Sequence, residues 1–233
     1  NEFKLSKYSW TKRLKHEYHC LRKINEFKLP EYKDIIKLRL MYTLMYPFIK
    51  FKTKNNPIYL FVDRIDSAQD NAEALWNYSL SQNDKITKYF VIDNDSDDFE
   101  RLSKKGKVID FGSTKHKLLY LFTDKLISSH PEDDTINPYF SKEHGHDLRR
   151  MVCGLCTMDR VFLQHGVTQN NLSPWLTKFD KNIQYFLTVS DLEEEYLTEV
   201  LAYDKETYHT LGFPRFDNLK STTESDRKSG SAG

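Results

Sequence analysis

From Ile58 onward, short apolar runs alternate with amphipathic stretches, and each run stops on polar or ionisable residues. The clearest case is Val161-Phe162-Leu163, which ends at Gln164-His165-Gly166. An uninterrupted apolar run of this length suits a strand buried on both faces. Gly166 admits a tight turn or a close backbone approach. Thr168 to Asn171 are polar, cap-forming residues, and Leu172, Trp175, Leu176 and Phe179 then follow at the spacing of one helix face. A strand, a polar turn and a helix in that order place the His165 imidazole at the carboxyl edge of a sheet. Open α/β sheets keep their ligands at that edge.

The same pattern recurs along the chain. Strands are expected at Ile58 to Val62, Tyr89 to Ile92, Val108-Ile109, Leu126-Ile127, Tyr185 to Val189 and Tyr208 to Leu211. Helices are expected from Asp70 to Leu80, over Phe99 to Leu102, from Ser113 to Phe122, over Asp147 to Leu155, and from Leu192 to Ala202. Such alternation with short polar connections predicts an α/β fold, a Rossmann-like parallel sheet with helices on both faces. The sheet domain is expected over residues 57–219, with residues 220–233 read as a linker or appended tail.

The first 56 residues differ in character. They hold 14 Lys and Arg against 5 Asp and Glu, a net of +9, whereas the remainder carries 21 against 29, a net of −8. Leu14, Tyr18, Leu21 and Ile24 fall on one helical face. Residues 31–46 form a second amphipathic pattern, with Ile35, Leu38, Met41, Tyr42 and Met45 in one stripe and Pro47 as its expected end. Basic helices beside the aromatic and lysine-rich run Phe48 to Lys54 suit an anionic membrane surface. They equally suit a helix pair packed on the body with its lysines in solvent. Three cysteines in 233 residues make no disulfide framework and point to a reducing, cytoplasmic setting. Asn1 to Trp10 lacks the apolar core of a cleavable signal, and no window is apolar enough to span a bilayer. The acidic body opposes binding of a nucleic-acid backbone.

In a parallel sheet all the carboxyl ends lie on one side, so Asp63, Arg64, His130, His165 and Arg215 are expected to converge in one crevice. A neutral imidazole can take a proton from an attacking hydroxyl, and guanidinium groups pair with phosphate oxygens. Phosphoryl transfer needs that set. Arg64 and Arg215 read equally well as ion-pair partners of Asp66 and Asp217. His144 and His146 with Cys153 and Cys156 raise a zinc reading, against which Cys153 to Cys156 reads as one buried helical turn; no metal and no cofactor is expected. The sequence has no P-loop, no dinucleotide fingerprint and no serine nucleophile elbow.

Four stretches resemble the CDP-glycerol glycerophosphotransferase family, which includes teichoic-acid and capsule polymerases. They are Leu60 to Glu73, Ile127 to His130 with Ile136-Asn137-Pro138, Phe162 to Thr168, and Leu211 to Leu219. The resemblance spans about residues 58–219. It implies the amino-terminal, acceptor-side half of a GT-B architecture and transfer of glycerol-phosphate, or a related alditol-phosphate, from a CDP-activated donor to a hydroxyl of a growing polymer. It maps the family's general base to His165, and Asp63, Arg64, Asp70, Asn71, His130, Gly166 and Arg215 are the expected substrate-binding residues around it. The donor nucleotide would sit mainly on a second domain, so this stretch alone would be poorly active or inactive. The acceptor would be polymeric or lipid-linked, which places the protein at the inner face of the bacterial cell membrane. Teichoic-acid members carry His-Gly-Thr-Pro-Leu-Lys; here the text is His165-Gly-Val-Thr-Gln-Asn-Asn171, without the lysine, which leaves the alditol and the polymer open. A nucleotide-sugar glycosyltransferase of the same fold and a non-catalytic membrane- or glycan-binding module are the alternatives.

Overall fold

A computed structural model describes residues 10–27, 32–53, 55–141, 146–147, 152 and 155–218. Two helices lead, α1 (Trp10–Phe27) and α2 (Tyr32–Thr53). Then follow β1 (Ile58–Val62), α3 (Asn71–Leu80), β2 (Thr87–Ile92), α4 (Asp98–Ser103), β3 (Val108–Asp110), α5 (Thr114–Phe122) and β4 (Lys125–Ser128). After α6 (Asp133–Ile136) a small antiparallel pair, β5 (Phe140–Ser141) and β6 (His146–Asp147), stands apart from the main sheet. The chain continues through β7 (Asp159–Phe162), α7 (Lys178–Lys181), β8 (Tyr185–Thr188), α8 (Asp191–Leu201) and β9 (Tyr208–Thr210), with a 3-10 turn at Pro214–Phe216.

Seven strands form one parallel sheet in the order β3-β2-β1-β4-β7-β8-β9. The order reverses between β1 and β4, which opens the crevice where ligands sit in such sheets. Alternation along each strand sorts side chains into two layers. Leu60, Val62, Val91 and Leu126 face a layer closed by α2 and α5, while Phe61, Phe90, Ile92 and Ile127 face α3 and α4, with Trp76 at the centre. Phe162, Phe186 and Tyr208 make a third cluster with Leu197 and Leu201 of α8. The expected Rossmann-like sheet with helices on both faces is observed.

Several local expectations are corrected. The second helix does not stop at Pro47; it runs to Thr53 with the proline inside it. Proline removes one helical hydrogen bond, a cost of about 3 kcal/mol, but packing holds the helix on both sides of the break. Tyr42 stacks on Phe122 with ring centroids 4.5 Å apart, and Ile49 packs on the same core. On the expected face of α1, Leu14 and Tyr18 are exposed and Leu21 is half-buried, while Glu17 is buried. Met45 in α2 is likewise exposed, whereas Ile35, Leu38 and Tyr42 are buried as their spacing predicts. No long helix follows His165. Leu176 is buried, but the Asn171 side chain accepts from the Ser173 amide, and Thr177 donates to Asp180. Such local bonds offer the backbone an alternative to helix, so only the short α7 forms. His146–Asp147 is a strand where a helix was expected to begin, and most of the rest of that stretch, with His144 and Cys153, lies outside the described residues.

Glu17 is held by Arg39, a residue of α2 only 1 % exposed, through two parallel bonds of 2.6 and 2.8 Å. This buried fork joins α1 to α2. Arg39→Ala should destabilise the chain by about 3–5 kcal/mol, because it strands a buried carboxylate; a urea midpoint measures it, and Glu17→Leu with Arg39→Met should recover most of the loss. A second network sits at the start of α3, where Glu73 accepts from Arg101 and Lys105. Burial pushes the Glu73 carboxyl up, but these cations outweigh it and bring it from 4.5 down to about 2. Its folded value is the lower one, so its contribution is complete above the unfolded value and is lost as the pH falls from 4.5 toward 2. Glu73→Gln should flatten the stability profile in that window, read by unfolding at stepped pH.

Candidate active site

Register brings three strand ends together. Val62 pairs with Ser128 and Ser128 with Phe162, so Asp63, Ser129 and Leu163 leave the sheet side by side at the switch point. The loops they begin carry the residues expected to form the site.

Asp63 does not face the crevice. It is buried, and its two oxygens accept from the amides of Asp70, Ala72 and Glu73 and from the Ser129 hydroxyl. Burial pushes this carboxyl up, and the Ser129, Asp70 and Ala72 bonds pull it back. The first amides of a helix lack partners within it, and a carboxylate there satisfies them and matches the helix dipole. Asp63 therefore fixes where α3 begins. Asn71 is also fully buried: its amide donates to the Gln164 carbonyl at 2.7 Å, and its oxygen accepts from the Arg215 amide at 3.1 Å. Both were expected to touch substrate. In the fold Asp63 bonds to the α3 amides and the Ser129 hydroxyl, and Asn71 to the backbone of Gln164 and Arg215.

His165 is exposed at the head of the crevice. Its Nδ1 lies 3.2 Å from the Ser129 carbonyl. A carbonyl only accepts, so Nδ1 carries the ring proton and Nε2 keeps a lone pair. The His130 ring lies parallel to it, with centroids 4.3 Å apart and an interplanar angle of 15°. Arg64 Nε donates to His130 Nε2 at 3.4 Å, and His130 Nδ1 faces Glu132 Oε2 at 3.7 Å, a charge contact longer than a hydrogen bond. Arg64, His130 and His165 thus converge as the sequence predicts.

Arg215 reaches the same place for another purpose. Its guanidinium donates to the His165 carbonyl at 2.8 Å and to the Asp70 carboxylate, and it lies over the rings of Phe213 and Phe216. Its ion-pair partner is Asp70, not Asp217. Asp70 also caps α3 by accepting from the Asn71 amide. These contacts make Asp70 and Arg215 a clamp on the His165 peptide.

The left-handed residue of the turn is Gln164, with φ of 59°, not Gly166. A side-chain carbon added at Gly166 would meet open space, so the glycine keeps the backbone beside His165 bare. Gln164 holds its conformation because its amide donates to the Leu187 carbonyl and to Glu193, and Glu193 also accepts from the Thr168 and Val189 amides. The sequence reading passed over Glu193, Ser129 and Glu132. Ser190 with Glu193 has the spacing of a capping box before α8, the one signal that could have found Glu193. Ser129 and Glu132 act through a carbonyl and a neighbouring imidazole, which spacing does not reveal. Among the described residues no group of three His, Cys, Asp or Glu is arranged to hold a metal ion.

The family model for CDP-Glycerol:Poly(glycerophosphate) glycerophosphotransferase matches residues 42–231. The minor teichoic acid biosynthesis protein GgaB of Bacillus subtilis (strain 168) is 38 % identical over 223 residues, covering 93 % of this chain and 24 % of that protein. The structure of the wall teichoic acid polymerase TagF superposes with a TM-score of 0.57 at 11 % identity, over 91 % of this chain and 50 % of that one. A TagF variant soaked with CDPG gives 0.56 at 12 % identity, over 90 % and 52 %. At that identity the likeness to TagF is one of fold. The chain spans about a quarter of GgaB and half of TagF. With more than half of its length matched, the chain belongs to the CDP-glycerol:poly(glycerophosphate) glycerophosphotransferase family.

Proposed function

We propose that this stretch forms the acceptor side of a polymerase that transfers glycerol-phosphate, or a related alditol-phosphate, from a CDP-activated donor to a hydroxyl of a growing teichoic-acid or capsule polymer. The reading rests on one observation: an exposed imidazole whose Nδ1 lies 3.2 Å from the Ser129 carbonyl, which in the neutral ring puts the proton on Nδ1 and leaves Nε2 to accept one. As the acceptor oxygen bonds to the donor's outer phosphorus, its proton passes to His165 Nε2. The bond from that phosphorus to the bridging oxygen breaks, and cytidine monophosphate leaves. Arg64, exposed beside the ring pair, is suited to neutralise charge on the equatorial oxygens. Arg215 and Asp70 keep the His165 peptide in register, and bare backbone at Gly166 gives the substrate room. The donor's nucleotide is held mainly by a second domain, so the stretch alone has little or no activity.

The outward side of α2 supports a place on an anionic membrane surface. Leu40, Leu44, Phe48 and Phe51 are exposed along the side opposite Ile35, Leu38 and Tyr42, with Phe48 76 % and Phe51 87 % exposed. Lys33 and Lys37, both exposed, continue that side toward the helix start. No helix among the described residues is long and apolar enough to cross a membrane. An apolar stripe flanked by lysines suits a helix lying in the plane of the headgroups, where a lipid-linked acceptor and a cytoplasmic donor meet.

In the full-length protein supplied with CDP-glycerol and acceptor, His165→Ala should slow release of cytidine monophosphate by about 10²–10⁴-fold, the usual contribution of a general base, with the melting temperature unchanged. Asp63→Ala should lower both activity and melting temperature, since it strands the α3 amides. Full activity in His165→Ala would overturn the assignment, and turnover of a nucleotide sugar in place of CDP-glycerol would point to a glycosyltransferase. Vesicle sedimentation tests the membrane surface: anionic vesicles should bind better than neutral ones, and Phe48→Ser with Phe51→Ser should weaken binding by about tenfold or more. Equal failure on both kinds of vesicle would remove this part of the proposal.

A further inference from the structure

We infer that Glu132, acting across the ring of His130, supplies the counter-charge for the imidazolium that forms on His165, and that His130 and Glu132 are positioning residues for the base. The inference rests on the reading of His165 as a general base and adds the groups that govern its charged form.

The stacked rings set the constraint. Two imidazoles 4.3 Å apart and nearly parallel cannot both carry a positive charge without strong repulsion. The neighbours decide which of them does. His130 Nε2 faces the Nε–H of Arg64, a permanent cation and donor. Protonating that nitrogen would set two donors and two positive charges against each other. His130 Nε2 is therefore the acceptor from Arg64, and its Nδ1–H is directed toward Glu132. Among the described residues, Arg64 bonds to the His130 ring and not to that of His165, and Arg215 binds the His165 carbonyl and is paired with Asp70. The charge that arrives during transfer consequently resides on His165.

Glu132 is an anion in contact with this pair, with Oε2 3.7 Å from His130 Nδ1. Burial pushes its carboxyl up, but its contact with His130, a backbone hydrogen bond and the positive potential of the imidazole pair outweigh burial and hold it below the usual range. Among the described residues, the charged groups around the two rings include Glu132 after β4, Arg64 after β1, the Arg215–Asp70 pair behind the His165 peptide, and Asp63, which accepts from the Ser129 hydroxyl. His130, only 8 % exposed, touches both, with its Nδ1 3.7 Å from the carboxylate and its face stacked on the His165 ring. A buried ring beside both groups keeps part of the surrounding water away, so the attraction is less screened than in open solvent. Because the Glu132 side chain is partly open to solvent, the effect is modest, about threefold, or half a pH unit.

The test follows the His165 ring by NMR in full-length protein carrying isotope-labelled histidine, with the signal assigned by its loss in His165→Asn. In Glu132→Gln the titration midpoint of His165 should fall by about half a pH unit. The acid limb of the kcat–pH profile should move by the same amount, with KM for CDP-glycerol unchanged. Glu132→Asp, which keeps the charge, should stay near the parent. His130→Phe keeps a flat ring but releases Glu132, so it should shift the midpoint in the same direction, and adding Glu132→Gln should bring little more. An unmoved His165 midpoint in Glu132→Gln would overturn the inference, whatever the activity, and leave Glu132 a purely structural residue. Full turnover in His165→Ala would instead defeat the general-base reading, a result the NMR titration does not depend on.

Discussion

The buried carboxylate of Asp63 is the constraint on which the site depends. One side chain at the end of β1 receives three amides from the start of α3 and the hydroxyl of Ser129 at the end of β4. It thereby fixes two loops at the point where strand order reverses. Ser129 in turn offers its carbonyl to His165, and Asn71, the first residue of α3, ties down the Gln164 carbonyl. The position of the imidazole follows from a chain of backbone contacts that begins at Asp63. Without that carboxylate the Asp70 and Glu73 amides would lose their partner, at a cost of about 1–3 kcal/mol each, while Ala72 would keep only its bond to the Ser129 hydroxyl.

The charge arrangement completes what the backbone begins. A sheet end gathers helix N-termini, and the positive ends of their dipoles favour anionic ligands. Here a pair of flat rings and a nearby carboxylate lie beside a guanidinium, so the local field differs sharply from one ring to the other. Two chemically identical side chains thus meet different neighbours: Arg64 and Glu132 at His130, and the Ser129 carbonyl at His165.

Much of this was legible in the sequence, for identifiable reasons. Strands buried on both faces must be short apolar runs, and their ends must be polar to meet solvent and ligand; Val161 to His165 shows both. Parallel topology then puts those ends on one side, so the convergence of Arg64, His130 and His165 followed from pattern. What stayed hidden depended on tertiary packing. Pro47 normally ends a helix, but the Tyr42–Phe122 stack and Ile49 hold α2 across it. On α1 a charged residue, Glu17, is buried beside the exposed Leu14 and Tyr18, and its partner Arg39 makes that burial tolerable. Asp63, Asn71 and Arg215 look like ligand-binding groups in any sequence, since the same polar atoms serve a phosphate or a neighbouring loop equally well. Their partners are 7 to 145 positions away, beyond the reach of local spacing.

Arg215 belongs to the closing 3-10 turn, yet it grips the peptide of the residue fifty positions earlier that bears the imidazole. Its backbone amide is held by Asn71 as well, so the turn is fastened at both its main chain and its side chain. Pro214 stiffens the same spot, leaving little slack between the two attachments. The turn is mechanically coupled to the imidazole: a tug that swings Pro214–Phe216 is delivered, through one rigid planar group, to the His165 carbonyl rather than dissipated along a loose loop.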